Sequence, residues 1–382
     1  MRNYRITSVW GIPIQLNISL VVFLPVLVWL IAASGQIDVY AAIIDDLSPA
    51  GLDVDVLQEG ANPWLIGTAA AIGLFFSVAV HELGHAYVAR RYGIGIRSIT
   101  LWIFGGLASL ESMPREWNRE FWIAIAGPIT SVLLGVAFVG LLQVIPAGLP
   151  VVLFVVGWLA VINVVLAIFN MLPAFPMDGG RILRALLARS RSYAEATRTA
   201  ARVGTFFALL FAVVGVLSWN PVLILIALFV YGTATTESRT TMLDELLTGV
   251  TAANVMDASV RTVGANDTVA DFTDRMLRDR RSEYVVLDDG EIAGLVTLSS
   301  LKRVDRDGHE STTVRSVMST DVPTVEPTMP AFDVLVAMRD GPLVVVVEDG
   351  DPIGTVSRGD LGRVMELRKR LGTDQPTDRV PM

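Results

Sequence analysis

A chain of 382 residues with 52% hydrophobic and only 18% charged residues, and a mean hydropathy of +0.55, lies outside the range of soluble globular domains, so most of it has to sit in lipid. The complete absence of cysteine excludes disulfide scaffolds and every cysteine-containing zinc site, which leaves histidine and carboxylate as the ligands for that metal. The net charge of −8 is uneven: up to Leu243 fourteen Lys and Arg face thirteen Asp and Glu, whereas from Asp244 onward sixteen face twenty-five. An acidic, soluble-looking tail argues against nucleic acid as a partner.

In chain order, Arg2 and Arg5 precede an apolar run over residues 18–33 that contains Pro25 and Trp29 and has no small-x-small cleavage pattern near its end. This predicts a retained first transmembrane helix rather than a secretory signal. Residues 36–62 carry six acids and no base and are expected to face outward. The second span then runs inward, uncharged from Pro63 to Val80 and ending at Arg90 and Arg91. Within it stands His81-Glu82-Leu83-Gly84-His85. Two of the chain's three histidines, four apart on a helix, are rotated only about 40° from each other, so both imidazoles address one metal. Glu82 lies beside them, placed to work on a water that the metal activates. A pair of core histidines with a buried glutamate and no metal would leave three titratable groups unsatisfied in hydrocarbon. The nine residues from His81 to Arg90 span about 13 Å of helix, which sets the metal inside the bilayer near its cytoplasmic face.

Residues 94–110 are apolar but interrupted by Gly95, Gly105 and Gly106. Short strands or a re-entrant loop are expected there, with a strand edge that could bind an extended peptide. Residues 121–145 form a third span with Ala126-Gly127-Pro128 and Gly135 suited to close helix contact. Residues 151–172 form a fourth, whose polar members are Asn163 and Asn170. It ends in a stretch where Pro173 and Pro176 stop the helix and Gly179 and Gly180 allow a tight backbone path. An arginine-rich segment from Arg181 to Arg202 is expected in the cytoplasm, followed by a fifth span over 203–217, a shorter sixth over 222–233 and a linker over 235–250. Six spans put both termini in the cytoplasm, with every arginine cluster on that side of the plasma membrane. Catalytic zinc takes three protein ligands, and His309 lies far off in the tail, so the third ligand is expected to be a carboxylate. Asp178 is favoured, because it follows a proline-broken helix end at the depth and side of His81. Glu111, Glu116 and Glu120 are the alternatives, standing among arginines as solvated charges.

His81-Glu82-x-x-His85 in one span, with Asn170-x-x-Pro173-x-x-Pro176-x-Asp178-Gly179 at the end of a later one, resembles the site-2 protease family of intramembrane zinc metalloproteases over residues 1–240. The resemblance implies that His81, His85 and Asp178 bind Zn2+ and that Glu82 is the catalytic acid and base. It also implies that Asn170 sits near the site and binds the substrate backbone. Phe104-Gly105-Gly106 is similar to the family's glycine pair ahead of the third span, which makes Gly105 and Gly106 substrate contacts. No PDZ-like insertion is present in the sequence, so substrate screening by such a domain is not expected.

From Thr251 the pattern changes to short valine-rich strands alternating with amphipathic helices, and it repeats. Val255-Met256 answers Val317-Met318, Thr262-Val263 answers Thr324-Val325, and Gly294-Leu295-Val296-Thr297 answers Gly354-Thr355-Val356-Ser357. Each copy resembles a CBS motif, the first over 251–307 and the second over 313–370. That resemblance implies an adenine nucleotide whose ribose is held by Ser357 and Asp360; the first copy departs from the pattern with Thr297 and Ser300. A dimerising role through the pair is the other use of such a module. The whole is expected to be a polytopic α-helical membrane protein of about six transmembrane helices with a C-terminal α/β CBS pair. Its expected activity is an intramembrane zinc metalloprotease that cuts single-span membrane proteins within or near their transmembrane segments, in regulated intramembrane proteolysis under CBS control. A catalytically silent zinc-binding relative is the alternative. A CBS-gated transporter is another, but it leaves the glutamate beside the first of two histidines unexplained.

Overall fold

The computed structural model describes residues 3–33, 35–103, 105–110, 114–279, 281–301, 309–338 and 341–371. The chain divides into two compact units, Met1–Arg239 and Thr240–Met382.

The first unit opens with strands β1 (Asn3–Val9) and β2 (Ile12–Asn17), followed by helices α1 (Ile18–Ala33), α2 (Gln36–Leu47), α3 (Val54–Gln58) and α4 (Asn62–Arg91). Strands β3 (Ile96–Trp102) and β4 (Gly105–Leu110) come next, then α5 (Trp117–Leu142), α6 (Pro150–Asn170), α7 (Asp178–Leu187), α8 (Tyr193–Leu217) and α9 (Pro221–Leu247), whose last residues belong to the second unit. The strands make one sheet in the order β1-β2-β3-β4, with β2 and β3 parallel and the outer pairs antiparallel. The β3–β4 hairpin answers the expectation for residues 94–110, whereas the N-terminal hairpin is new. Ile12, Ile14 and Leu16 alternate as a strand requires, but Ile14 pairs with Ile99, a contact too remote in sequence to be foreseen. Ile12 and Ile99 close on Ala86 and Leu83 of α4, so the sheet is fastened to the helix that carries the histidine pair.

Among the described residues five helices, α4, α5, α6, α8 and α9, are long and apolar enough to cross a membrane. The pair α1 and α2 makes a sixth if it is one span, with a 69° bend between the two helices. The acidic segment over 36–62 is therefore more than an outward loop. Its Ile37, Ala41, Ile44 and Leu57 are buried against Ile66, Leu153 and Trp158. The last two spans also differ from expectation. The fifth helix begins at Tyr193, capped where Ser192 Oγ accepts from Glu195 N, and the sixth runs on through most of the expected linker to Leu247. The Thr, Ser, Glu and Arg residues after Thr233 are too polar for a span yet compatible with a helix, because helix formation needs no apolar surround.

The second unit holds α10 (Ala252–Val255), β5 (Thr262–Gly264), α11 (Val269–Asp279), β6 (Glu283–Asp288), β7 (Glu291–Thr297) and α12 (Leu298–Leu301). The pattern then recurs in α13 (Val314–Val317), β8 (Thr324–Val325), α14 (Ala331–Ala337), β9 (Leu343–Glu348), β10 (Asp351–Ser357) and α15 (Arg358–Leu371). Each copy forms a three-stranded sheet with one parallel and one antiparallel pair. The leading helices are exchanged. Ala252 and Val255 of α10 are buried with Val325, Val334 and Val344 of the second copy, while Val314 and Val317 of α13 are buried with Val263, Phe272 and Val286 of the first. This explains the recurrence of Gly294 and Gly354. A Cβ on Gly294 would press on the Met318 sulfur, and one on Gly354 on that of Met256.

Candidate metal centre

His81, His85 and Asp178 converge. His81 Nε2 is 3.1 Å from Asp178 Oδ2, and His85 Nε2 is 3.2 Å from both that oxygen and His81 Nε2. The three residues are 4, 8 and 7% exposed, and they are the one cluster of three or more His and acidic donors found among the described residues. Zinc ligands at about 2.0–2.1 Å in a tetrahedron lie about 3.3 Å from one another. The near-equilateral triangle of donors therefore fits one face of that tetrahedron and leaves the fourth corner open. The outer ring nitrogens support the same orientation. His85 Nδ1 is 2.7 Å from Ile123 O, and because a carbonyl oxygen only accepts, Nδ1 carries the hydrogen and Nε2 turns its lone pair inward. His81 Nδ1 is 2.8 Å from Ser131 Oγ.

The local sequence makes this convergence. Both histidines project from the face of α4 that meets α5, where Gly127 stands opposite them; a Cβ there would overlap Nε2 of each. After α6 ends, the chain turns tightly, with Met177 N donating to Ala174 O at 2.9 Å and Gly180 N to Met177 O at 3.0 Å. Gly179 then passes so close to the carbonyls of Met171 and Leu172 that no side chain would fit. This brings Asp178, at the first position of α7, up to α4. The Glu82 side chain lies against β4, where a Cβ on Gly106 would overlap it. Since β4 is the last strand of its sheet, Glu82 stands behind a strand edge that includes Gly105 and Gly106. Asn170 ends α6 and donates Nδ2 back to Leu166 O at 3.0 Å.

Among the alternative ligands, the exposed Glu116 pairs with the half-buried Arg119 at 2.7 Å, as a solvated charge would. Glu120 does not. It is buried and accepts from Arg184 Nε at 2.7 Å, and Arg184, itself 1% exposed, also donates from Nη1 to Glu237 at 2.5 Å. The expectation of solvated charge fails there because α7 packs against that side of α5 and brings Arg184 onto Glu120. Glu111 and Phe104 lie outside the described residues. Sequence reasoning did not find Ser131 or Arg184. Ser131 follows Gly127 by one helical turn, which was the only available signal, and nothing local distinguished Arg184 from its arginine neighbours.

In the second unit Asp360 Oδ2 accepts from Ser357 N at 2.8 Å and from Ser357 Oγ at 2.6 Å, capping α15, and Arg363 pairs with the same carboxylate. The first copy repeats the cap with a neutral partner, Thr297 N to Ser300 Oγ at 3.3 Å. A cavity of about 400 Å³ lies between the copies, lined by Glu283, Thr297, Ser299, Pro342 and Arg358 among others.

The sequence matches peptidase family M50 over residues 69–152 and 147–211 and the CBS domain over 252–307 and 314–366. A zinc metalloprotease of Methanocaldococcus jannaschii is 33% identical over 377 residues, 97% of this chain and 99% of the relative. Stage IV sporulation protein FB of Bacillus subtilis is 32% identical over 143 residues, 37% of this chain and 48% of the relative. A solved site-2 protease from Methanocaldococcus jannaschii is 34% identical, covering 62% of this chain and 96% of that one, with a TM-score of 0.43.

Proposed function

This chain belongs to peptidase family M50 and is a multi-pass membrane metalloprotease, and from that premise we propose that it cuts membrane-anchored, single-span proteins within or near their transmembrane segments. His81, His85 and Asp178 hold the zinc, and Glu82 is the general base and acid. The observation that carries this reading is the buried triangle of three donor atoms 3.1–3.2 Å apart, with a glutamate packed against a strand edge beside it. Zinc, when bound, polarises the scissile carbonyl and makes a water acidic enough to attack at neutral pH. Glu82 takes the proton of that water and delivers it to the leaving amine. The free edge of β4 at Gly105 and Gly106 pairs with the substrate backbone, which has to leave its helix to present an extended segment. Asn170 adds a polar contact for that backbone at the end of α6.

The cytoplasmic side of the plasma membrane is the side of Arg90, Arg91 and the 181–202 arginines, by the charge bias of membrane loops. The pairing of β2 with β3 supports an N-terminus on that side as well. The second unit, with its CBS pair, regulates the protease by binding an adenine nucleotide or by pairing two copies of the chain.

The test is Glu82→Ala in the purified protein. It is expected to keep about one zinc per chain, measured by atomic emission, and to lose hydrolysis of a helical membrane peptide by about 100-fold or more. Full cleavage at full zinc occupancy would overturn the assignment.

A further inference from the structure

The two histidines are held from behind in different ways. His85 is fixed by a backbone carbonyl, Ile123 O, which no substitution removes and which can only accept. His81 has a side-chain partner instead, Ser131 Oγ at 2.8 Å. Ser131 is 1% exposed and stands on α5 four residues past Gly127, so the helix that touches the metal face of both rings through Gly127 also reaches around to the outer nitrogen of one. A hydroxyl can donate or accept, and the choice has a consequence. If it donated to Nδ1, the ring would carry its hydrogen on Nε2 and present it to Asp178 and His85, and His81 could not be a ligand. If it accepts from Nδ1–H, the Nε2 lone pair faces the triangle.

We propose that Ser131 is the positioning residue of the metal site, accepting from His81 Nδ1 and thereby holding the ring angle and tautomer in which Nε2 binds the metal. This rests on the reading of His81, His85 and Asp178 as the ligands. The argument is physical: an imidazole in hydrocarbon with no outer acceptor leaves a buried N–H unpaired and the ring free to turn about its Cβ–Cγ bond, and outer partners of this kind are worth about 10–100-fold in metal affinity. Ser131 is also the one outer partner of the two that a single substitution can remove.

The experiment uses the full chain in detergent micelles, with zinc affinity read by competition with a chromophoric chelator and ligand geometry read from the visible spectrum of the cobalt-substituted protein. Ser131→Ala is expected to weaken zinc binding about 10–100-fold and to alter the cobalt spectrum, while Ser131→Thr, which keeps an acceptor oxygen, stays near the parent in both. Parent-like zinc affinity and cobalt spectrum in Ser131→Ala would overturn the proposal. So would equal weakening in Ser131→Ala and Ser131→Thr, which would assign the effect to packing rather than to the acceptor. His81→Ala is the control that separates the two claims: zinc affinity unchanged in that variant would mean that the ligand assignment itself is wrong.

Discussion

Gly127 has no side chain for a reason that reaches the chemistry. A Cβ at that position would overlap Nε2 of both His81 and His85, whereas one on Gly140, further along the same helix, would meet nothing within 4 Å. Ala at position 127 therefore pushes α5 off α4 or pushes both rings out of the triangle, and overpacking of this kind costs about 1–3 kcal/mol. Gly127→Ala is expected to purify with much less than one zinc per chain and no proteolysis, and Gly140→Ala with parent zinc content and parent activity. Equal zinc in the two variants would mean that α5 can retreat without disturbing the ligands. The sequence showed Gly127 only as a small residue suited to helix contact, because what it contacts depends on how α4 and α5 cross. The ligands themselves were legible for a different reason: His81 and His85 need only helix periodicity to share a face, and Asp178 needs only a helix end at the right depth.

At the scale of elements, Arg184 ties three helices together. Its guanidinium reaches Glu120 on α5 and Glu237 on α9 from its own place on α7, and it lies 5.0 Å from the ring centroid of Phe175 and 4.8 Å from that of Tyr193. Removing one partner of a buried ion pair leaves an uncompensated charge, at a cost of about 3–5 kcal/mol. Arg184→Met is thus expected to lower the thermal unfolding temperature sharply and, since α7 begins at Asp178, to lower zinc content with it. Adding Glu120→Gln removes the stranded carboxylate and should restore part of the stability; a double variant no better than the single one would mean that Glu120 is not the group stranded. No local pattern marks such a cluster, whose members lie 64 and 53 residues apart. The same limit hid the N-terminal hairpin, which depends on β3 for a partner. By contrast α4 was legible almost to its ends, because an uncharged run, two arginines and then Gly93 mark its course and its stop. The start of α8 had its own mark in Ser192 and Glu195, a cap and its third residue, which the search for apolar runs passes over.

Across the whole molecule, a membrane metalloprotease is joined to a pair of repeats that cannot be separated, because each repeat is closed by the leading helix of the other. A ligand of that pair acts on both copies at once, which suits a regulatory part. The recurrence was legible from Met256 and Met318 with their glycines, but the exchange was not, since a repeat looks the same whether its first helix packs at home or across. For the nucleotide proposed to bind the pair, the chemistry of the cavity between the copies is expected to set the preferred number of phosphates. Glu283 lines it, and burial together with the nearby charge of Asp360 pushes the Glu283 carboxyl up from its usual range. Glu283 and Asp360 oppose phosphate charge, and of the arginines nearby Arg363 is already paired with Asp360 while Arg358 lines the cavity, so each added phosphate should weaken binding. Only the second copy has an acid, Asp360, where the first has Ser300. Calorimetry on the full chain in micelles is therefore expected to show one adenine nucleotide per chain, in the affinity order AMP, ADP, ATP, and about a 10-fold or greater loss in Asp360→Asn, as for a hydrogen bond to a charged group. Cleavage measured with and without AMP should then differ by about 5–150-fold, the range of a typical coupling between two sites. Two nucleotides per chain would show that Ser300 replaces the acid, and binding that leaves cleavage unchanged would reduce the pair to a docking or dimerising module.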